Sequence, residues 1–520
     1  MILRSLVRRR RLAVLVACLC CGCVTMWQAR FVVPAKVASL DKGAPFLKCH
    51  TRDGSVYVLG RWRVVEQARR IEGEGLLYDA DRKVVGKGPL SVPFERVALL
   101  ETNRPESVHA RGQFLILALV TGASLAVTAL CIAYPKSCFG SCPTFFAHDG
   151  DKLSLQAEGF SASVARSLEA TDVDALFTAR PDANRLELLM TNDALETHAV
   201  RRVRLLAAPR PPDGRVLRTA DGRFYPAREL RPPMSCTSPL GDCLAALGAI
   251  DDREYASPTD ADDLARRETV ELRFPAPGGR AGLLLRARNS LVNTFLFYQM
   301  LAYMGSQAGD WMMKLDRGDP EVRRAAGGMG RLLGDIEVLV LTSRGWVRAG
   351  AYGEVGPIAR DVQLVELPAD LPAGPVQVRL VMARGYWKID HLAVGRLGAP
   401  LTPDALEVQS VLRGRTGTLE DREALARLRD PNAYLVTYPR DAYRLRFELP
   451  PSPTGEHELF LESRGFYTEW IRESWLAEEN PARVVELLLD PAAALRRLAP
   501  DYKRIEKEME KIFWQSRVGQ

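Results

Sequence analysis

The sequence has little histidine and lacks the familiar catalytic motifs. Its 520 residues include six histidines, which are widely spaced and predict no metal-binding cluster. The patterns Gly-x-Ser-x-Gly and His-Glu-x-x-His and the phosphate-binding P-loop are also missing. These absences argue against α/β-type serine hydrolases, zinc proteases and P-loop nucleotidases, and we predict no cofactor and no metal.

Net charge is small outside the first 23 residues. The formal net charge is +7, and five of the positive charges are arginines in residues 1–23, which contain no acidic residue. The other 497 residues therefore carry a net charge of +2. A nearly neutral body has no electrostatic footprint for polyanions, so we expect no nucleic-acid partner.

Residues 1–23 have the three parts of an export signal: four consecutive arginines, a short apolar core and a cluster of cysteines. Cys18 follows Leu15-Val16-Ala17 in a lipobox-like pattern, and Cys23 follows Gly22 after an apolar core of more usual length. We predict lipid attachment at Cys23 or Cys18, with membrane lipid as the partner. The alternative is an uncleaved signal anchor that continues to Trp27.

A second apolar segment occupies residues 112–134. Within it, residues 114–134 contain no charged side chain, and 21 residues are enough to cross a hydrocarbon core of about 30 Å. This segment predicts a transmembrane helix. The alternative is a helix buried under the large domain, because Thr121, Ser124 and Thr128 lower its hydrophobicity.

The remaining cysteines include two close pairs, Cys138 with Cys142 and Cys236 with Cys243. Such pairs are typical of disulfides in an oxidising compartment, whereas their spacing does not match common zinc sites. A true span at 114–134 would return the C-terminal body to the cytoplasm. Disulfides favour export, and we predict a cell-envelope protein whose body is periplasmic or extracellular.

Alternating apolar residues and Asp-Gly turns predict a mainly β (α+β) fold. Apolar residues make up 47% of the chain, which is ordinary for a globular protein. A helix in the central insert is apolar nearly all round, which predicts burial. We divide the chain after residues 1–23 into a small SH3-like β-barrel (44–103), the apolar helix (112–134), a β-sandwich-like domain (138–287), a helical insert (288–334), a second β-rich region (335–480) and C-terminal helices (481–520).

Three arginine-glycine-aromatic sequences follow predicted strands, beginning at residues 344, 384 and 464. Glycine permits a turn with positive φ, after which the aromatic side chain can fold back onto the sheet. The first interpretation is that these aromatic side chains are plugs, which pack onto the sheet at the ends of the strands. The alternative is an aromatic platform that binds a glycan or peptide, formed by Trp346, Trp387, Tyr467 and Trp470.

No residue is assigned as catalytic. Three acid-histidine pairs lie beside predicted strand ends: His148 with Asp149, Glu196 with His198, and Asp390 with His391. General acid–base chemistry needs such groups within hydrogen-bond reach of a substrate, which sequence does not show. The alternative function is an exported hydrolase that acts on envelope polymers through two carboxylates, Asp390 and Glu469.

Several segments together resemble an uncharacterised family of bacterial lipoproteins with a CFGSCPTF junction and a β-rich C-terminal body. They are Lys48-Cys49-His50 to Asp53-Gly54, the segments 97–102, 135–144 and 157–161, and residues 465–470. The likeness covers most of residues 44–516. It implies a lipoprotein-type envelope location and supplies no activity or functional residues.

The predicted function is that of a membrane-anchored envelope protein with a binding or structural role. Its expected partner is an envelope protein, a peptide or a glycan. A third hypothesis is a subunit of a membrane complex, in which the helix at 114–134 packs against another protein.

Overall fold

The computed structural model describes residues 24–44, 46–52, 54–79, 84–108, 142–194, 196–251, 253–305, 308, 311, 332–353, 355–470 and 478–515. The chain forms two compact units, residues 1–129 and residues 130–520, called here the N-terminal unit and the main unit. The predicted leader, the apolar helix at 112–134 and Cys138 lie outside the described residues. Among the described helices, none has the length and apolar character needed to span a membrane.

The N-terminal unit is one antiparallel sheet, sheet A, with the strand order β1-β6-β2-β3-β4-β5. Its core contains Leu47, Leu59, Ile71, Val97 and Leu100. The strands are β1 (Val24–Val32), β2 (Phe46–Thr51), β3 (Val56–Val65), β4 (Arg70–Tyr78), β5 (Val84–Pro93) and β6 (Val97–Val108).

The SH3-like β-barrel predicted for residues 44–103 is wrong, because the described residues of this unit form a six-stranded sheet with an open order. The additional strand is β1, which pairs with β6 from Val24 opposite Val108 to Val32 opposite Leu100. In the described residues, β1 and β5 are the two edges and do not pair with each other. Strand β3 is continuous from Val56 to Val65, although its register with β4 shifts between Gly60 and Arg63.

The described residues of the main unit form four antiparallel sheets. Its strands are β7 (Thr144–Asp149), β8 (Lys152–Glu158), β9 (Ala170–Ala175), β10 (Arg185–Thr191), β11 (Glu196–Pro209), β12 (Gly214–Arg218), β13 (Phe224–Arg231), β14 (Ser235–Ser238), β15 (Gly241–Asp242), β16 (Arg267–Phe274), β17 (Ala281–Asn289), β18 (Ile336–Thr342), β19 (Gly345–Tyr352), β20 (Asp361–Glu366), β21 (Val376–Ala383), β22 (Trp387–Leu397), β23 (Asp404–Glu407), β24 (Ser410–Arg413), β25 (Leu419–Glu420), β26 (Leu435–Thr437), β27 (Ala442–Glu448) and β28 (His457–Glu469).

The strand orders define these sheets. Sheet B has the order β25-β24-β27-β10-β7-β8, and sheet C has β23-β11-β28-β9 with β26 also paired to β11. Sheet D has β12-β13-β22-β17-β20, and sheet E has β15-β14-β16-β21-β18-β19. Each of these sheets contains strands from both residues 138–287 and residues 335–480, so these two stretches fold together.

Three hydrophobic cores lie between successive sheets. The first joins sheets B and C, the second joins C and D, and the third joins D and E with several helices. Strand β17 is buried at every residue because Leu283 and Leu285 belong to the third core, whereas Leu284 belongs to the second. Such alternation is expected of a strand covered on both faces. The predicted mainly β, sandwich-rich fold is confirmed.

The helices of the main unit are α1 (Leu244–Leu247), α2 (Val292–Met304), α3 (Arg422–Arg429), α4 (Pro481–Leu489) and α5 (Pro491–Gln515). As predicted from its all-round apolar sequence, α2 is largely buried, and its Phe295 and Leu301 lie in the third core. Pro500 lies inside α5, where it removes one backbone donor at an exposed position.

One of the two predicted cysteine pairs is a disulfide. Cys236 and Cys243 are bonded, with Cα atoms 5.1 Å apart, and they close the hairpin of β14 and β15. Cys142 has a free and buried thiol, and Cys138, with which it is predicted to pair, lies outside the described residues. The Cys142 Sγ lies beside a buried carboxylate, 3.6 Å from Glu158 Oε1.

Candidate functional site

The pairing of β11 with β28 brings together several residues selected from the sequence. Glu196 lies opposite Glu469, and His198 lies opposite Tyr467. Directly opposed residues of an antiparallel pair share one face of the sheet. Together with Cys142 and Glu158, these four residues form what we call the Glu196 cluster.

The cluster is connected by short polar contacts. His198 Nε2 lies 3.0 Å from Glu196 Oε2. The Tyr298 hydroxyl of helix α2 donates to Glu469 Oε1 at 2.7 Å. The Tyr467 hydroxyl donates to the carbonyl of Ser161 at 3.1 Å. These contacts tie the ends of two long strands to a buried helix and to the loop after β8.

Burial determines what these groups can do chemically. All six residues of the cluster are at most 8% exposed. Burial, together with the charges of Glu158 and Glu196, raises the pKa of the Cys142 thiol well above its ordinary value. Burial also raises the pKa of the Tyr467 hydroxyl, and neighbouring acidic groups raise it further. The thiol therefore stays protonated at neutral pH, where a reactive cysteine would need to be a thiolate.

Glu158 holds a loop of the main unit in place. Its Oε2 accepts hydrogen bonds from the backbone amides of Ile358 at 2.9 Å and Ala359 at 3.3 Å. A side chain at Gly356 would overlap the Glu158 carboxylate, so the close approach requires glycine there. Glu158 thus satisfies buried backbone donors, which is a structural role.

The four predicted aromatic binding residues do not lie together on one surface. Trp387 is 3% exposed and lies in the third core, whereas Tyr467 is 8% exposed and lies in the core between sheets B and C. Trp346 is half-buried on β19, with the Arg379 guanidinium carbon 4.0 Å from its ring centroid. Trp470 is also half-buried, and its Nε1 donates to Thr197 Oγ1 at 2.8 Å.

The three Arg-Gly-aromatic sequences differ in their backbone geometry. Gly345 has φ of 97° and Gly385 has φ of 74°, as expected for turns that favour glycine. Gly465 lies inside β28, where an added Cβ would come 2.4 Å from the carbonyl oxygen of Ala199. The third glycine is therefore required by close packing between strands.

The carboxylates considered for catalysis lie in different sheets. Asp390 on β22 of sheet D is fully buried and forms an ion pair with Arg286. Glu469 is on β28 of sheet C and is held by Tyr298. His391 Nδ1 lies 3.2 Å from the carbonyl oxygen of Leu247, and burial lowers the pKa of its imidazole. The structure thus gives Asp390 and Glu469 separate structural partners.

The remaining pair lies at the end of β7. His148 is exposed, and Asp149 Oδ1 is 3.5 Å from Arg180 Nε. Across the described part of the chain, no group of three or more histidine, cysteine, aspartate and glutamate side chains is arranged to hold a metal ion.

Sequence reasoning missed a buried ion-pair network centred on Glu254. Glu254 binds both Arg288 and Arg360, which lie 34 and 106 residues away in the chain. It also missed Asp174 and Asp361, two buried acids on facing strands. Neither set has a sequence signal, because the partners meet only through the pairing and stacking of distant strands.

Comparison with known proteins adds little. No protein-family model matches the chain, and no curated protein sequence matches it. A GH31 α-xylosidase from Xanthomonas citri is 11% identical over 84% of this chain and 38% of that protein, with a TM-score of 0.14. Likeness at this level carries no conclusion about fold or activity, and the chain spans well under half the length of that enzyme.

Proposed function

We propose that this protein is exported and lipid-anchored in the cell envelope, where it has a binding or structural role. The observation that carries the proposal is the disulfide between Cys236 and Cys243. Disulfides persist in oxidising compartments and are rare in the cytosol of most organisms. A body stabilised in this way belongs outside the cytoplasm.

The beginning of sheet A supports the anchored form of the proposal. Residues Val24–Val32 form β1 and pair with β6, so Cys23 directly precedes the first described strand of this sheet. An acyl group on Cys23 would hold this sheet next to the bilayer. The alternative signal anchor would need residues up to Trp27, and these belong to β1.

The buried polar groups support a role without catalysis. Glu158 binds backbone amides, Glu469 binds a tyrosine hydroxyl, and Asp390 is paired with arginine. Each of these carboxylates holds structural elements together. A glycosidase-type hydrolase instead needs two carboxyl groups that face a substrate across a cleft.

Impermeant labelling of single introduced cysteines in intact cells tests export. Val85 is 59% exposed in the N-terminal unit, and the Glu420 side chain is 52% exposed in the main unit. We expect Val85→Cys and Glu420→Cys both to react with a membrane-impermeant maleimide once the outer barrier is permeabilised. The unmodified protein, whose described free thiols are buried, is the matched control.

The labelling outcomes discriminate among topologies. Reaction at position 85 alone would mean that the chain crosses the membrane between the two sites and would contradict an exported main unit. Reaction at neither site, combined with full labelling after lysis, would contradict export altogether.

Lipid attachment has its own test. We expect alkyne-palmitate fed to cells to be incorporated into the wild type and to be lost in Cys23→Ser or, if the lipobox-like pattern is used, in Cys18→Ser. Cys20→Ser is the matched control and should retain the label. Export without incorporation in the wild type would rule out the anchor while leaving the exported body intact.

A further inference from the structure

Sheets C and D meet at a seam formed by their edge strands. Strand β9 is an edge of sheet C, and β12 and β20 are the two edges of sheet D. The Ala175 amide of β9 donates to Asp361 Oδ1 of β20 at 2.9 Å. Arg218 Nη1 of β12 donates to the Val173 carbonyl of β9 at 3.1 Å. These bonds connect two sheets that otherwise share an apolar core.

Two buried acids occupy this seam with unequal hydrogen bonding. Asp361 is 5% exposed, and its second oxygen, Oδ2, accepts from Gln363 Nε2 at 3.2 Å. Asp174 precedes the Ala175 amide and is 8% exposed. Among the described residues, its Oδ2 has no hydrogen-bond partner. An ionised carboxylate is therefore better accommodated at Asp361 than at Asp174.

The charges around Asp174 are mostly negative. Asp172 is on the same strand, Asp361 is on β20 and Glu158 lies at the end of β8, whereas the opposing charge is that of Arg218 on β12. Two more groups complete the surroundings: the Tyr352 hydroxyl of β19 donates to the Asp361 carbonyl at 3.0 Å, and Arg286 of β17 is engaged by Asp390 of β22.

These surroundings favour the neutral acid. Burial, followed by the charges of Asp172 and Asp361, raises the pKa of Asp174 well above its ordinary value. Burial also raises the pKa of Asp361, although the Ala175 amide and the charge of Arg218 oppose that shift. Like-charged carboxyls in one low-dielectric site do not ionise together easily.

We propose that Asp174 and Asp361 form a pH-sensitive latch, which holds β9 against β20 while the pair retains a proton and weakens when both carboxyls are ionised. Asp174 is the member that holds the proton, because Asp361 already accepts two hydrogen bonds. The latch goes beyond the envelope role proposed above and does not depend on it.

The direction of the pH effect follows from linkage. An acid whose pKa is raised by folding is protonated in both states below its unfolded value, near 3.8 for aspartate. Above that value the seam becomes less stable as pH rises, and the loss is complete once pH passes the folded pKa. One linked proton changes the opening equilibrium by up to about tenfold per pH unit.

Hydrogen exchange of the intact protein, measured between pH 5 and 8 and corrected for intrinsic amide chemistry, tests the latch. We expect amides of β9 (Ala170–Ala175) to lose protection as pH rises, by up to about tenfold per pH unit. Peptides from β18 (Ile336–Thr342) in sheet E should keep constant protection and so exclude global unfolding.

Two variants complete the experiment. Asp174→Asn should keep β9 protected across the range and remove the pH dependence. Asp172→Asn, on the same strand, removes a negative charge that raises the pKa of Asp174. In this variant β9 should still lose protection as pH rises, but the loss should be complete at a lower pH than in the wild type. Three outcomes would each overturn the proposal. The first is constant β9 protection in the wild type, and the second is a parallel change of protection in β9 and β18. The third is a β9 protection that still depends on pH in Asp174→Asn.

Discussion

Replacing Glu254 by alanine is expected to lower the free energy of unfolding of the main unit by about 3–5 kcal/mol. Glu254 receives a bidentate pair from Arg288, with distances of 2.8 Å and 2.7 Å, and a third bond from Arg360 Nε at 2.7 Å. The Arg288 side chain is 3% exposed. Removing the carboxylate would take a counter-charge away from this buried guanidinium.

The pKa of Glu254 gives this substitution a pH signature. Burial alone would raise that pKa, but hydrogen bonds from Arg288 and the charges of Arg288 and Arg360 lower it below its ordinary value. A lowered folded-state pKa stabilises the protein above the unfolded value and loses its effect as pH falls through the folded value. The loss of unfolding free energy caused by Glu254→Ala should therefore become smaller at acidic pH.

Urea unfolding followed by far-UV circular dichroism measures the cost. Glu423→Ala is the matched control, because Glu423 forms an i,i+4 pair with Arg427 on α3 and its side chain is 76% exposed. That pair is worth about 0.3–0.5 kcal/mol. Equal losses in the two variants would contradict a buried, stabilising role for Glu254.

A double substitution separates the ion pair from the buried charge. Replacing Glu254 and Arg288 together by methionine removes both charges while keeping apolar volume. We expect this variant to be more stable than Glu254→Ala, because the main cost of the single substitution is a buried guanidinium that has lost the Glu254 carboxylate. If the double variant were less stable than Glu254→Ala, the loss of stability would be due to packing rather than to the buried charge.

Local sequence patterns predicted local features correctly. Alternation predicts a mainly β fold, and strands such as β18 show it, because Ile336, Val338 and Val340 are buried and the residues between them are half-buried. The short spacing of Cys236 and Cys243 indicated their disulfide. These features depend on residues that are close in the chain, so their physical cause is present in the sequence pattern itself.

Features that depend on distant partners were not predictable. Strand β11 pairs with β28, so Glu196 lies opposite Glu469 although most of the main unit's sequence separates the two residues. Cys142 meets Glu158 only because β7 and β8 pair in that register. Hydrophobic alternation shows which face of a strand is buried, but it does not identify the strand that lies beside it.

The second large effect is expected at Trp387, where alanine should cost about 3–5 kcal/mol. The indole packs between Tyr352 and Tyr386, with ring centroids 5.5 Å and 5.4 Å away. Its Nε1 donates to the Gly334 carbonyl at 3.3 Å. Alanine would leave a cavity beside the aromatic rings and remove the indole donor.

Trp346→Ala is the matched control for this substitution, measured by the same urea unfolding. Trp346 is half-buried and is covered by the Arg379 guanidinium, so its truncation should cost clearly less than that of Trp387. If these tryptophans formed a ligand platform, each substitution would weaken binding and leave stability nearly unchanged. A large loss of stability at Trp387 alone supports the plug, because a ring that supports the core cannot also present its face to a ligand.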